Sequence, residues 1–163
     1  MTVLPILHWP DPRLSAPCAP VAPGEDVARL ASDMLDTMYA APGRGLAAPQ
    51  VGVMKRLFVM DVAWKTGPPD PQVCLNPEIL SRSDTRAIAS EGCLSIPGLL
   101  APVERPTAIR LRWTALDGTA QEADLEGFSA LCAQHETDHL DGILTLDHLL
   151  PEARAALLAG RGA

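Results

Sequence analysis

The sequence predicts an α+β domain in which mixed or antiparallel sheets pack around one central helix. Apolar and charged residues alternate from Ala108 to Trp113, Asp117–Gly118 is a hairpin signal, and Ala120–Leu125 reads as the returning strand. Strands fill the middle of the chain and one long helical stretch, Gly127–Leu140, follows them. That order disfavours alternating strand–helix units and a doubly wound sheet. No repeat and no composition break divides the 163 residues, which predicts a single domain over 1–163. A chain of this size buries about 70% of its unfolded surface, enough to fold without staples.

Residues 1–24 carry prolines at 5, 10, 12, 17, 20 and 23. Proline lacks the backbone donor and bars long helices and central strands. The segment therefore reads as an extended arm laid over the domain, anchored by Leu4, Ile6, Leu7 and Trp9. A helix is predicted over Asp26–Ala40, where Val27, Leu30, Met34, Leu35 and Met38 form an apolar stripe. Gly24-Glu25-Asp26 gives it an acidic first turn that suits the helix dipole.

Arg56–Val62 reads as a strand, Lys65–Pro71 as a loop, and Val73–Leu80 as a second strand with a proline-bent edge. Arg86–Ser90 leads into Glu91-Gly92-Cys93-Leu94-Ser95-Ile96-Pro97-Gly98. On the helix Gly127–Leu140, Phe128, Leu131, Cys132 and two histidines lie on or near one side. Pro151 opens a short C-terminal helix over 152–159.

Composition narrows function. Aromatics are few, so the core must be mostly Leu, Val, Ile and Ala. A net charge of −7 with no Lys/Arg run disfavours direct nucleic-acid binding. The start Met-Thr-Val-Leu-Pro has no charged or long apolar leader, and no apolar run approaches the ~20 residues a membrane helix needs. The expectation is a cytoplasmic protein with no membrane contact. Cys18, Cys74, Cys93 and Cys132 are widely spaced with no Cys-x-x-Cys. In a reducing compartment Cys18, Cys74 and Cys132 read as small buried hydrophobes.

The chemistry-bearing stretch is Gln134-His135-Glu136-Thr137-Asp138-His139. His135 and His139, four residues apart, lie one turn above the other on one helix face, with Glu136 beside them. Two imidazoles and an adjacent carboxylate suit a metal with a poised proton acceptor. A catalytic site of this kind needs a third protein ligand. Asp141 points off another face, and His148 reads as an exposed or capping histidine. Cys93 follows Gly92 in a tight turn through which a loop thiol could reach a metal held by the helix.

Gly43-Arg44-Gly45-Leu46-Ala47-Ala48-Pro49-Gln50, Glu91-Gly92-Cys93-Leu94-Ser95 and Gln134–His139 resemble, in order and at similar spacings, the three signature motifs of peptide deformylases. Trp9-Pro10-Asp11-Pro12-Arg13-Leu14 also looks like that family, and the resemblance runs from about residue 4 to 148. It implies a peptide deformylase-like fold and removal of the formyl group from the N-terminal methionine of newly made peptides. Cys93, His135 and His139 would hold one divalent metal, ferrous iron natively, with zinc, nickel or cobalt as substitutes. Glu136 would be the proton acceptor, and the Gln50 side chain and Leu94 backbone N–H would stabilise the oxyanion. Gly43, Arg44, Gly45, Leu46, Glu91, Gly92, Leu100, Phe128, Leu131 and Cys132 would contact substrate. Asp138 is expected to pair with Arg105, and Glu91 to orient a ligand. The expected state is a monomer, and the expected partners are N-formylated nascent peptides.

The chain departs from the family pattern in three places. Arg44 stands where the family usually has Ile or Val, and Gly98-Leu99-Leu100 replaces a stretch where many members place an arginine. The tail after Pro151 is short and nearly neutral, whereas many bacterial members dock on the ribosome through a longer basic helix. Two alternatives follow: an amidase whose acyl or side-chain preference is shifted by Arg44, and a non-catalytic metal-stabilised binding protein.

Overall fold

Leu57–Met60, strand β2, is buried at all four positions. A strand covered on both faces reads as a continuous apolar run rather than an alternating one. The rest of the molecule supplies the two covers. In the computed structural model, which describes residues 1–161, β2 lies inside a five-stranded antiparallel sheet. The last two residues of the expected 1–163 unit lie outside the described residues. The other strands are β1 (Gly45–Ala47), β3 (Gln72–Arg82), β6 (Ala108–Thr114) and β7 (Ala120–Glu126), in the order β1-β2-β3-β6-β7. Every strand pairing is antiparallel.

Helix α1 (Ala28–Ala40) covers one face, with Met34 and Met38 packed on Leu46, Leu57 and Val59. Helix α2 (Gly127–Leu140) covers the other, with Ala130 and Ala133 against Phe58, Cys74 and Leu111. Strand β7 passes straight into α2. Gly127 makes that corner with φ of +59°, a backbone conformation that glycine adopts without steric cost. A separate hairpin, β4 (Arg86–Cys93) with β5 (Ile96–Pro106), forms a two-stranded sheet. Its Ile96, Leu99 and Val103 pack with Leu146, Trp9 and the terminal helix α3 (Pro151–Arg161).

Several boundaries differ from the sequence reading. Helix α1 begins two residues late, and its N-cap residue is Val27. Strand β3 is interior, between β2 and β6, rather than a proline-bent edge. Pro77 is tolerated because the register with β6 slips between Leu75 and Glu78, so proline falls in a bulge where no ladder bond is required. Strand β5 has no counterpart in the sequence reading; it contains Pro97, Pro102 and Pro106. It pairs with β4 alone, so one row of its N–H groups faces away from the ladder, where proline costs little.

The arm over 1–24 is tied down at specific points and includes one turn of 3-10 helix, Pro12–Ser15. The Leu7 N–H donates to the Gln50 carbonyl at 2.7 Å, and the Trp9 N–H to the Ser95 carbonyl at 2.8 Å. The Cys18 N–H and the Arg56 guanidinium both donate to the Leu140 carbonyl, satisfying an end of α2. Cys18, Cys74 and Cys132 are free and buried, as expected. Among the described residues, no helix is long and apolar enough to cross a membrane.

Asn76 clamps the arm to β3. Its Oδ1 accepts from the Val21 N–H at 2.8 Å and its Nδ2 donates to the Val21 carbonyl at 3.0 Å, from a backbone φ of +49°. Asn76→Ala removes both bonds and leaves alanine in left-handed backbone. We expect a loss of about 2 kcal/mol or more in urea unfolding. An unchanged midpoint would refute the clamp.

Candidate metal centre and its cavity

Three elements converge on one point. Helix α2 presents His135, Glu136 and His139; the end of β4 presents Cys93; a 3-10 turn over Ala48–Val51 presents Gln50. The Cys93 thiol, His135 and His139 offer ligand atoms that all lie within 4.8 Å of one another. Cys93 Sγ is 3.4 Å from His139 Nε2. Tetrahedral donors on metal bonds of about 2.0–2.3 Å stand roughly 3.5 Å apart, so this set fits a divalent ion with little adjustment.

Cys93 reaches the helix because the hairpin register breaks there. Gly92 faces Leu100, but Cys93 faces Ile96, and Leu94–Ser95 form the tight turn between the strands. Burial pushes the Cys93 thiol up, but His139 and His135 outweigh it and hold the thiol well below its ordinary pKa. The thiolate is the ligating form.

His135 has a partner behind it. His135 Nδ1 is 2.9 Å from Glu91 Oε1, which leaves Nε2 turned to the centre. Glu91 is itself held by Arg105, whose Nε and Nη2 donate at 2.6 and 3.0 Å. Arg105 Nη1 donates on to Asp138 at 2.9 Å, and Asp138 also meets His148 Nε2 at 2.8 Å. The expected Arg105–Asp138 pair and the contact of Glu91 with a histidine are both present. Asp141 faces away and pairs with Arg56.

Glu136 is buried, and its Oε2 has no hydrogen-bond partner. Burial raises its pKa, with His135 and His139 opposing that rise. A buried carboxylate oxygen without a partner, beside three metal-type donors, is suited to taking a proton from a small molecule held there. Gly45 makes this packing possible: a Cβ on it would stand 2.5 Å from Glu136 Oε1 and 2.9 Å from Cys132 Sγ.

Gln50 is almost fully buried, at 1% exposure. Its Oε1 accepts from the Ala47 N–H at 2.9 Å. Its Nε2 donates to Ser95 Oγ at 3.1 Å and lies 3.7 Å from Cys93 Sγ. The amide is thereby oriented with its N–H groups toward the cysteine. Ser95 belongs to the Glu-Gly-Cys-Leu-Ser run, and its hold on Gln50 has no mark in the sequence pattern.

A cavity of about 730 Å³ opens beside these groups. Gly43, Arg44, Gly45, Gln50, Glu91 and Gly92 line it, as do Cys93, Leu94, Leu100, Phe128, Leu131 and Cys132. Leu46 does not; it is fully buried under α1, so the structure places its side chain in the core. Lys65 and Leu99 line the cavity without having been singled out. The wall is braced from outside by a group with no sequence signature. Asp61 accepts from Tyr39, Ala63, Trp64 and Asp70, folding the loop so that the Trp64 indole donates to the Gly43 carbonyl at 2.9 Å.

Comparison with known proteins gives the same picture over nearly the whole chain. Residues 3–155 match the family described as polypeptide deformylase. A peptide deformylase of Alkalilimnicola ehrlichii is 53% identical over 150 residues, covering 91% of this chain and 83% of that one. One from Afipia carboxidovorans is 49% identical over 150 residues, covering 91% and 88%. A crystal structure of a peptide deformylase from Legionella pneumophila superposes with a TM-score of 0.91 at 38% identity, covering 99% of this chain and 94% of that one. One from Thermus thermophilus superposes at 0.89 with 41% identity, covering 98% and 93%.

Glu91→Gln keeps the shape but removes the charge that His135 and Arg105 share. We expect metal affinity to fall about 10–100-fold in a chelator competition. Burial raises the Glu91 pKa, but the His135 and Arg105 hydrogen bonds outweigh it and hold it below 4.5. Its stabilising contribution is therefore complete above pH 4.5 and is lost as pH falls through the depressed value. The parent should lose stability on acidification in that window more steeply than Glu91→Gln. Equal slopes would show that the carboxylate's charge is not what matters.

Proposed function

The chain belongs to the peptide deformylase family, and on that premise we propose that it removes the formyl group from the N-terminal methionine of newly made peptides, with Cys93, His135 and His139 holding the metal. The observation that carries the assignment of roles is the convergence of those three donors with a buried Glu136 whose Oε2 has no partner. A metal held there supplies Lewis acidity, which makes water acidic enough to lose its proton near neutral pH. We take the metal to be ferrous iron natively, with zinc, nickel or cobalt as substitutes. One thiolate and two imidazoles suit any of these.

The remaining work falls to the chain's own residues. Glu136 accepts the proton of the attacking water through its free Oε2 and hands it to the departing amine. The raised pKa of Glu136 brings acceptance and return of that proton closer in energy. As the formyl carbon is attacked, charge develops on its oxygen. Gln50 Nε2, already aimed toward Cys93 by the Ala47 and Ser95 bonds, donates to it with little reorganisation. The Leu94 backbone N–H, in the turn after Cys93, is the second donor. Gly43 and Gly45 let Leu94, Glu136 and Cys132 close up against the chain that leads to Gln50, and the substrate's peptide backbone would lie along that wall of the cavity. Leu131, Cys132 and Phe128 give the first side chain an apolar wall. The products are formate and a peptide with a free amine. The substrates on this reading are N-formylated nascent peptides, handled by a monomer.

Anaerobically prepared, metal-replete protein should release formate from formyl-Met-Ala-Ser; undetectable formate would sink the proposal. Glu136→Gln should lower kcat about 10²–10⁴-fold with metal content retained. Gln50→Ala should lower it about 10²–10³-fold. A Glu136→Gln enzyme that keeps its activity would remove Glu136 from the proton path.

A further inference from the structure

The cavity that receives the first side chain carries a cation at its outer end. Phe128, Leu131, Cys132 and His135 follow one another along a single face of α2. Seven residues separate His135 from Phe128, about 10 Å along the helix axis. Over Phe128 lies Arg44, with its guanidinium carbon 4.9 Å from the ring centroid. Arg44 Nε is buried and has no hydrogen-bond partner. Within the same wall, the Arg44 carbonyl accepts from the Asp61 N–H and lies 3.6 Å from Cys132 Sγ, so the backbone beneath this side chain is fixed.

These facts set a length and a chemistry. A formylated methionine spans roughly 7 Å from formyl carbon to terminal methyl at ordinary bond lengths. With the formyl group at the metal centre, the tip points along this wall toward the Phe128–Arg44 stack. Arg44 lines the cavity while its Nε is shielded, so the outer part of the guanidinium is what a side chain meets, and an aliphatic tip offers that cation no acceptor. An oxygen at the tip supplies one. The stack also fixes the guanidinium plane, so little ordering remains when an acceptor arrives. Lys65 lines the same cavity and rests over Trp64 at 5.6 Å, adding positive potential at that end.

Resting on the deformylase reading above, we propose that Arg44 is a specificity-determining residue that favours formylated N-terminal residues whose side chain ends in a hydrogen-bond acceptor, such as oxidised methionine, over those ending in a hydrocarbon or thioether.

The test is kcat/KM for formate release from formyl-Met sulfoxide-Ala-Ser and formyl-Met-Ala-Ser, which differ by one oxygen, and from formyl-Gln-Ala-Ser and formyl-norleucine-Ala-Ser. Each pair is measured on the iron-loaded parent and on Arg44→Met and Arg44→Ile. A charge-assisted hydrogen bond gained at the tip predicts that the acceptor-to-aliphatic ratio falls by about tenfold or more in both variants. Ratios that match between parent and variants overturn the role of Arg44 and leave deformylation standing. A parent that prefers both aliphatic peptides overturns the proposal without any variant, even if the substitutions fail to fold. No formate from any of the four peptides overturns the deformylase reading itself, and this proposal with it.

Discussion

Glu91 is the residue on which the rest of the centre depends. It is 3% exposed and carries a charge, an arrangement that is stable only if the carboxylate is fully partnered. Three hydrogen bonds at 2.6 to 3.0 Å do this, two from Arg105 and one with His135. The His135 contact, with the Arg105–Asp138 bond, joins the hairpin to the central helix. Glu91 lies on β4 opposite Ala101 and Arg105 lies on β5 opposite Ala87, so the long guanidinium side chain reaches along the hairpin to the carboxylate, whereas His135 belongs to α2. Cys93 lies two residues beyond Glu91 on the same strand, so placing the carboxylate on His135 also places the thiol beside His139. A removed partner would leave a buried charge exposed to the low-dielectric interior, so the network holds together as a unit or not at all.

The sheet explains why α2 can carry so many polar groups inside. Nine of its fourteen residues are buried, including Gln134, His135, Glu136, Thr137 and His139. A helix with polar residues on several sides is stable only where each side meets a partner. Gln134 donates to the Pro106 and Ala130 carbonyls, and Thr137 donates to Ala133. His135 meets the hairpin. Glu136 meets the bare backbone at Gly45, and the carbonyl of Leu140 is satisfied by the arm and by Arg56. Only Glu136 Oε2 and His139 Nδ1 on this helix remain buried without a partner. Glu136 Oε2 lies at the centre, as expected of a group reserved for a ligand, whereas His139 Nδ1 is on the side of its ring away from Cys93.

What the sequence made legible follows the same division. The helix Gly127–Leu140 and its paired histidines were readable because helical spacing alone puts them on one face, and the β6–β7 hairpin because alternation and Asp117–Gly118 agree. Cys93 was a candidate third ligand from the Gly92 turn before it, whereas the role of Gln50 came from a family resemblance alone, since nothing local marks it as turned inward. Strand β5 contains three prolines that are harmless on a strand with one partner, and β3 looked like an edge because Pro77 gave no sign of the bulge that accommodates it. The Asp61 knot was invisible for another reason. Its bonds join Tyr39, Trp64 and Asp70 across the loop and α1, and the backbone donors in it leave no side-chain pattern to read.

The division between inner and outer cavity also limits what Arg44 can change. At the inner end the thiolate, the two imidazoles and Glu136 are fixed by the Glu91 network and by the close approach at Gly45, so a substitution at the rim cannot reach them without moving a glycine or a strand. At the outer end the guanidinium lies over Phe128, half exposed at the first turn of α2. Trp64 holds the Gly43 carbonyl, and the Asp61 N–H holds that of Arg44, so the backbone between the two ends is rigid. A rigid spacer separates chemistry from recognition. On the proposed reading, the groups that act on the formyl carbon and those that meet the side chain stand about two helical turns apart. The site can therefore change what it prefers without changing what it does.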